Sequence, residues 1–291
     1  MAGGIGSRFW PMSQEHMPKQ FLDVLGTGKT LIQMTTDRLK KVAPENQIYV
    51  MTNKDYASLV HEQSGLPYDQ ILTEPMRRNT APCIAYASHK IHGLNKSSNL
   101  IVAPSDHLIM DEDAFVNIIN TAVKTAQQNQ IVTLGIKPSR PDTGYGYINF
   151  DASSGTEIGS VKDVIKFTEK PDHTKAREFV DAGNYYWNSG IFIWKTSTII
   201  DALEKFKPAV NDLFRSKGND YGTGAEQEFV NNAFENSESV SIDYAVLEPA
   251  NNVSVVLSDF GWSDLGTWGS LYTHLKHDEK GNAVIGDKVK I

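Results

Sequence analysis

Short apolar runs alternate with stretches of helical periodicity along the first half of the chain. QIYVMT (47–52), NLIVAPSD (99–106) and QIVTLGI (130–136) read as strands. Between the last two, Ala114, Phe115, Ile118, Ile119, Ala122, Val123 and Ala126 recur at helical spacing, with Asp111 and Asp113 available to cap the start. Strand, helix, strand in that order predicts an α/β fold, with a mixed, mainly parallel central sheet flanked by helices and ligands at the C-terminal ends of its strands. From about residue 143 the texture changes. TGYGYINF, GSVKDVIKFTEKP and YYWNSGIFIW are aromatic and β-branched, which predicts an antiparallel extension beside the first half. There is no internal repeat and no low-complexity linker, so one continuous unit over 1–268 is expected, with the start of a β segment at 269–291. Only Met1 and Ala2 precede the first glycine, and GNAVIGDKVKI begins an alternating pattern and stops. A strand before the glycines and a further C-terminal piece are both expected to be missing.

Composition narrows the partners. Lys plus Arg is 28 against 35 Asp plus Glu in 291 residues, a net charge of -7 with no basic block to offset it, which argues against a nucleic-acid surface. The single cysteine, Cys83, rules out an internal disulfide, fits a reducing compartment and reads as a buried small residue. No apolar run approaches the roughly 18 to 20 residues of a membrane span, and the N-terminus lacks the regions of a signal peptide. A cytoplasmic protein is expected.

The chemistry begins in MAGGIGSRFWPMSQEHMPKQF, where Gly3, Gly4 and Gly6 run into Arg8, and Lys19 follows Pro18. A dinucleotide fingerprint needs a third glycine where Phe9 stands. GTGKT (26–30) imitates the tail of a P-loop, but the first glycine of that motif would fall on Asp23, whose carboxylate would repel phosphate, so a surface turn is the better reading. The third reading is that the glycines let backbone N–H groups approach a triphosphate while Arg8 and Lys19 neutralise it.

GGIGSRFWP followed by PKQF resembles the signature of the sugar-1-phosphate nucleotidyltransferases. EPMRRNTAPCIA, APSDH, TGYGYI, FTEKP, WNSGIF, IDYAVLE and FGWSDLGTW then resemble, in order, the motifs of the mannose-1-phosphate guanylyltransferases. The resemblance implies a Rossmann-like nucleotidyltransferase fold and the reaction of GTP with mannose 1-phosphate to give GDP-mannose and pyrophosphate, with Mg²⁺ as cofactor. It places Asp106 and Asp264 on the metal, Arg8 on the departing pyrophosphate and Lys19 on the phosphates near the reacting centre. It places Lys170 on the sugar phosphate, and Glu169, Asn188 and Gly146 at the sugar, where Asn188 both donates and accepts and Gly146 admits close backbone approach. Tyr145 and Trp187 read equally as sugar-stacking rings or as core. Guanine offers two adjacent donors, which suits a carboxylate. Glu74, at a strand end with Asn79 and Thr80 framing the base, is the candidate, against the equal reading of an exposed acid before a proline.

Other residues weigh less. His107 reads as structural or supporting, and the DED at 111–113 as a helix cap rather than a D-x-D metal motif. His61, His89, His92, His274 and His277 read as surface residues. No cysteine and histidine set has zinc spacing. A silent nucleotide-sugar-sensing relative would have lost phosphate or metal ligands, and a glycosyltransferase would not need the opening loop. A homo-oligomer is a possible assembly.

Overall fold

The computed structural model describes residues 1–4, 6–216 and 220–285. In chain order the elements are α1 (Leu31–Leu39), β1 (Val50–Asn53), α2 (Ala57–Ser64), β2 (Ile71–Glu74), α3 (Thr80–Leu94), β3 (Asn99–Val102) and β4 (Leu108–Ile109). Then come α4 (Glu112–Ala126), β5 (Ile131–Ile136), β6 (Tyr147–Phe150), β7 (Val161–Thr168), α5 (His173–Ala182) and β8 (Tyr185–Lys195). The last are α6 (Thr196–Phe206), α7 (Pro208–Phe214), α8 (Glu226–Asn236), β9 (Val253–Ser258), β10 (Trp262–Ser263) and α9 (Trp268–Tyr272). Among the described residues no helix is long and apolar enough to cross a membrane. Where the sequence suggested one continuous unit, the chain divides into two compact ones assembled from separated segments. The first takes Met1–Thr73, Pro104–Glu112 and Gly261–Ile291, the second Glu74–Ala103 and Asp113–Phe260.

In the first unit β1 pairs with β2, and β4 pairs antiparallel with β10. The two residues before the glycines behave as part of this framework: Ala2 N–H donates to the Met51 carbonyl at 2.7 Å, and Ser105 N–H donates to the Met1 carbonyl at 3.0 Å. One apolar cluster gathers Ala2, Phe21, Ile32, Val50, Tyr56, Val60 and Ile71, and a second gathers Phe9, Val24, Leu31, Leu108, Leu265 and Leu271. Helix α1 starts where the Thr30 N–H finds the Gln33 side chain at 2.9 Å, a T-x-x-Q start that satisfies one otherwise orphaned donor. The P-loop imitation before it is closed to phosphate. The Asp23 carboxylate already accepts from the Thr27 and Gly28 N–H groups at 2.9 and 2.7 Å. Over the expected β segment at 269–291, the described residues hold most of helix α9 and then an isolated bridge from His277 to Ala283, and residues 286–291 fall outside the described ones.

The second unit is built on a six-stranded sheet in the order β3-β8-β5-β9-β7-β6, and β6 also pairs with β8. The mixed α/β class is as expected, but the balance of directions is not. Among the described pairings of this sheet only β5 with β9 is parallel. The reason lies in β8, whose 11 residues run antiparallel between β3 and β5, so the strand-helix-strand passage through α4 skips one position instead of placing its two strands side by side. The antiparallel extension from residue 143 is present as β6, β7 and β8. Strand β5 is buried along almost its whole length, which its unbroken IVTLGI run requires. His89 and His92, expected at the surface, are half-buried on α3 and bonded to Asn211 and Thr196, each at 2.9 Å.

Gly135 marks the tightest point of this sheet. A Cβ there would lie 2.6 Å from Val255 Cγ2 on β9 and 3.3 Å from Tyr186 Cβ on β8. Gly135→Ala is therefore expected to cost about 1–3 kcal/mol by overpacking. Denaturant unfolding measures this, and an unchanged midpoint would show that the two neighbouring strands are not held so closely.

Candidate active site

In the first unit the PKQF turn ties two loops together. Lys19 and Gln20 stand on a short turn of 3-10 helix, Lys19–Phe21, anchored by the buried Phe21 ring. Gln20 Nε2 donates to the carbonyls of Ala2 and Gly4, each at 2.9 Å, and so shapes the glycine loop. Gly6 holds φ +61°, and a Cβ there would come within 2.7 Å of Lys19 Cβ, so the loop passes this turn only as glycine. Lys19 Nζ reaches the Asp106 carboxylate at 2.9 Å and the carbonyls of Asp264 and Leu265 at 2.7 and 3.2 Å. An ammonium has three donors, and these three acceptors take them all. Lys19, expected on the phosphates, instead joins the two segments that carry the expected metal ligands. Arg8 is exposed and enters no ion pair among the described residues, so its charge is available to an anion.

Burial pushes the Asp106 carboxyl up, but the Lys19 ammonium and the neighbouring His107 outweigh it and hold the group below the usual carboxylate range. The Asp264 carboxylate accepts from Gly266 N–H at 2.9 Å, and a Cβ on Gly266 would collide with its other oxygen. The glycine leaves a space that the carboxylate fills. Two hard oxygen donors, one held deprotonated, fit a Mg²⁺ that takes one or two carboxylates and completes its shell with phosphate and water. His107 Nδ1 accepts from Trp262 Nε1 at 3.2 Å, and burial pushes its imidazole down, which agrees with a structural role. Glu112 of the DED pairs with Lys41 at 2.7 Å and faces Arg38 at 3.6 Å, so it braces α1.

The second unit collects the expected sugar residues. Asn188 N–H donates to the Gly146 carbonyl at 2.8 Å, and Lys170 N–H to the Tyr145 carbonyl at 3.2 Å. A Cβ on Gly146 would lie 2.5 Å from Glu169 Oε2, so that carboxylate rests where only glycine permits it. Glu169 is nearly buried and pairs with Lys170, whose ammonium stays largely exposed. Trp187 is 5% exposed with Tyr145 edge-on against it at 5.0 Å, so the core reading holds for Trp187. Asn188 departs from the expectation that it both donates and accepts. Its Oδ1 already accepts from Thr133 Oγ1 at 2.8 Å and Gly190 N–H at 3.2 Å, which uses both lone pairs.

Glu74 is the last residue of β2 and only 4% exposed, which excludes the reading of it as an exposed acid. Burial pushes its carboxyl up, while the Cys83 thiol, 3.2 Å from Oε2, and Arg77 pull it back. Cys83 is buried as expected, but its bond to Glu74 was invisible in the sequence because it needs the first turn of α3 folded back on the strand end. Asn79 caps α3 by accepting from Thr80 N–H at 2.9 Å, and Thr80 Oγ1 accepts from Ile242 N–H at 2.8 Å. Among the described residues the non-glycine positive φ angles fall on Asn79, Asn129, Lys170 and Leu265. Three of these four adjoin or are site residues, where strain of order 1–3 kcal/mol each is retained.

Sequence reasoning missed Asp243. It sits in IDYAVLE at the start of a single π-helical turn, Asp243–Leu247, and its Oδ1 accepts from Asn188 Nδ2 at 3.0 Å. The motif was noticed but assigned no chemistry. Burial, and then the Glu169 carboxylate, push the Asp243 carboxyl up to about 6, against the pull of Lys170. An acid whose folded pKa lies above its unfolded value folds best protonated, so this stability is present below about pH 4 and lost as pH rises through about 6. Asp243→Asn removes the charge and keeps a carbonyl for Asn188. It is expected to exceed wild type in stability by up to about 3 kcal/mol above about pH 6, the gain fading toward about pH 4. Denaturant titrations at both ends of that range test it, and a difference that ignores pH would remove the buried charge as its cause.

A family model described as Nucleotidyl transferase matches residues 1–281. The chain is 37% identical over 298 residues to the mannose-1-phosphate guanylyltransferase of Escherichia coli (strain K12), covering 99% of this chain and 62% of that protein. It is 39% identical over 297 residues to the xanthan biosynthesis protein XanB of Xanthomonas campestris pv. campestris (strain B100), covering 100% of this chain and 62% of that protein. The chain thus spans about three-fifths of the length of these relatives. Among solved structures, mannose-1-phosphate geranyltransferase from Thermus thermophilus aligns with a TM-score of 0.82 and 30% identity over 96% of this chain and 78% of that one. UDP-glucose pyrophosphorylase complexed with UDP-glucose aligns at 0.58 with 16% identity over 94% of both, a likeness of fold alone. With its fold, its opening glycine loop and a family match running from the first residue almost to the last, the chain belongs to the nucleotidyl transferase family.

Proposed function

We propose that the chain transfers GMP from GTP to mannose 1-phosphate, giving GDP-mannose and pyrophosphate. The observation that carries this reading is the gathering of Gly146, Glu169, Lys170 and Asn188, drawn from three separate strand regions, into one hydrogen-bonded cluster with an exposed ammonium. Such a cluster suits a phosphorylated sugar, with Lys170 on the phosphate and Glu169 accepting from hydroxyls. The relatives named for mannose 1-phosphate support that sugar, and the buried Glu74 carboxylate supports a base with two adjacent donors.

In the reaction an oxygen of the sugar phosphate attacks the α-phosphorus. A new P–O bond forms as the bond to the bridging oxygen breaks, and its electron pair leaves with pyrophosphate. Arg8 neutralises that leaving group, and the amides of the glycine loop orient the triphosphate. Asp106 and Asp264 would hold Mg²⁺, which supplies Lewis-acid stabilisation of phosphoryl charge. Lys19 holds the Asp106 carboxylate and the backbone of Asp264 in place. A silent sensing relative is disfavoured because Arg8, Lys170 and both aspartates are present.

A matrix of nucleoside triphosphates against sugar 1-phosphates, scored by pyrophosphate release, tests the proposal directly. GTP with mannose 1-phosphate is expected to be fastest, and Glu74→Gln to weaken GTP use by about 1.5–3 kcal/mol, the range for hydrogen bonds to a charged group, narrowing the preference over UTP. No release with any sugar 1-phosphate would sink the proposal, whereas an unchanged GTP to UTP ratio in Glu74→Gln would move base selection elsewhere. Separately, Asp106→Asn and Asp264→Asn are each expected to lower turnover about a hundredfold or more and to weaken Mn²⁺ binding measured by titration. Near-normal turnover and Mn²⁺ affinity in either variant would remove that residue from the metal site.

A further inference from the structure

Asn188 is fixed from both ends of its amide. The oxygen accepts from Thr133 Oγ1 and Gly190 N–H, and the nitrogen donates to Asp243 Oδ1. Rotating the amide by half a turn would set its oxygen against the Asp243 carboxylate and its NH₂ against the Gly190 N–H, replacing attraction with repulsion at both contacts. Among the described residues one N–H is then left uncommitted, and Asn188 can only donate to a substrate hydroxyl. Glu169, close by, can only accept while ionised. The pair distinguishes a hydroxyl by the role it must take.

We infer that Asp243 is a positioning residue for sugar recognition, holding Asn188 in its donor orientation. This rests on the proposed sugar role of Asn188. The segment that carries Asp243 is itself secured. Val240 exchanges backbone bonds with Arg78 and Ala81 at 3.3 and 3.1 Å, Ile242 N–H donates to Thr80 Oγ1, and Glu248 accepts from Glu169 N–H at 3.3 Å. Asp243 thus stands between two anchored points, one beside the expected base residues and one beside Glu169. Single π-helical turns recur at functional sites, and here the turn starts at the residue that holds Asn188.

A double-mutant cycle on the full chain tests the inference, with Michaelis constants for mannose 1-phosphate and GTP taken from pyrophosphate release. Asp243→Ala is expected to raise the constant for mannose 1-phosphate about tenfold while leaving that for GTP within about twofold, and Asp243→Asn to retain most of the affinity because its carbonyl accepts the same bond. In an Asn188→Ala background the added Asp243→Ala should cost nothing further. Additive losses would overturn the inference by showing that Asp243 does not act through Asn188. An equal rise for both substrates, or no rescue by Asp243→Asn, would reduce it to a structural residue or one needed for its charge. If Asn188→Ala alone leaves sugar affinity unchanged while pyrophosphate is still released, the inference fails and the proposed activity stands. If no variant and no wild-type protein releases pyrophosphate, both fail together.

Discussion

A buried ammonium organises the first unit. Lys19 is 4% exposed, and taking such a charge out of water costs several kcal/mol unless its donors are met. They are met by one carboxylate and two carbonyls from segments more than eighty residues away along the chain. Remove the ammonium and Asp106 loses the charge that keeps it ionised, while the carbonyls of 264 and 265 lose their donor. The adjacent Gln20 performs the neutral version of the same task on the glycine loop. One short turn therefore sets the relative placement of the glycine loop and of the segments that carry Asp106 and Asp264 within this unit.

The strained residues fit that picture. Leu265 adopts φ 46° while its carbonyl accepts from Lys19, and Asn79 adopts φ 65° while its side chain caps α3. Neither residue type gains from such a backbone by itself, so the surrounding hydrogen bonds must impose it. Lys170, also at φ 46°, is directed the same way by its N–H bond to Tyr145.

The strand-helix-strand passage and the antiparallel texture after residue 143 were legible because each is a local pattern. The rejection of a P-loop at GTGKT was legible for the same reason, through the charge of Asp23. The two units were not, since each is stitched from segments far apart in sequence and no composition change marks the seams. Nor was the insertion of β8 between β3 and β5, because hydrophobic runs report that a strand is buried and not which neighbours it takes. Lys19 shows a subtler limit. A lysine behind glycines and an arginine suggests phosphate, and only coordinates reveal that its donors are already spent. Asp243 was hidden because its partner, Asn188, lies 55 residues away, in a motif of its own.

The ladder around β5 has a consequence for how the chain is made. Among the described residues the strand at Ile131–Ile136 pairs only with β8 and β9, and both come later, β9 not until Val253. A chain growing from its N-terminus carries this buried strand with both edges bare until β8 emerges about fifty residues later, and with the β9 edge bare for more than a hundred. The parallel pairing with β9 joins strands more than a hundred residues apart, so it is a contact that closes late and at a high loop-closure cost.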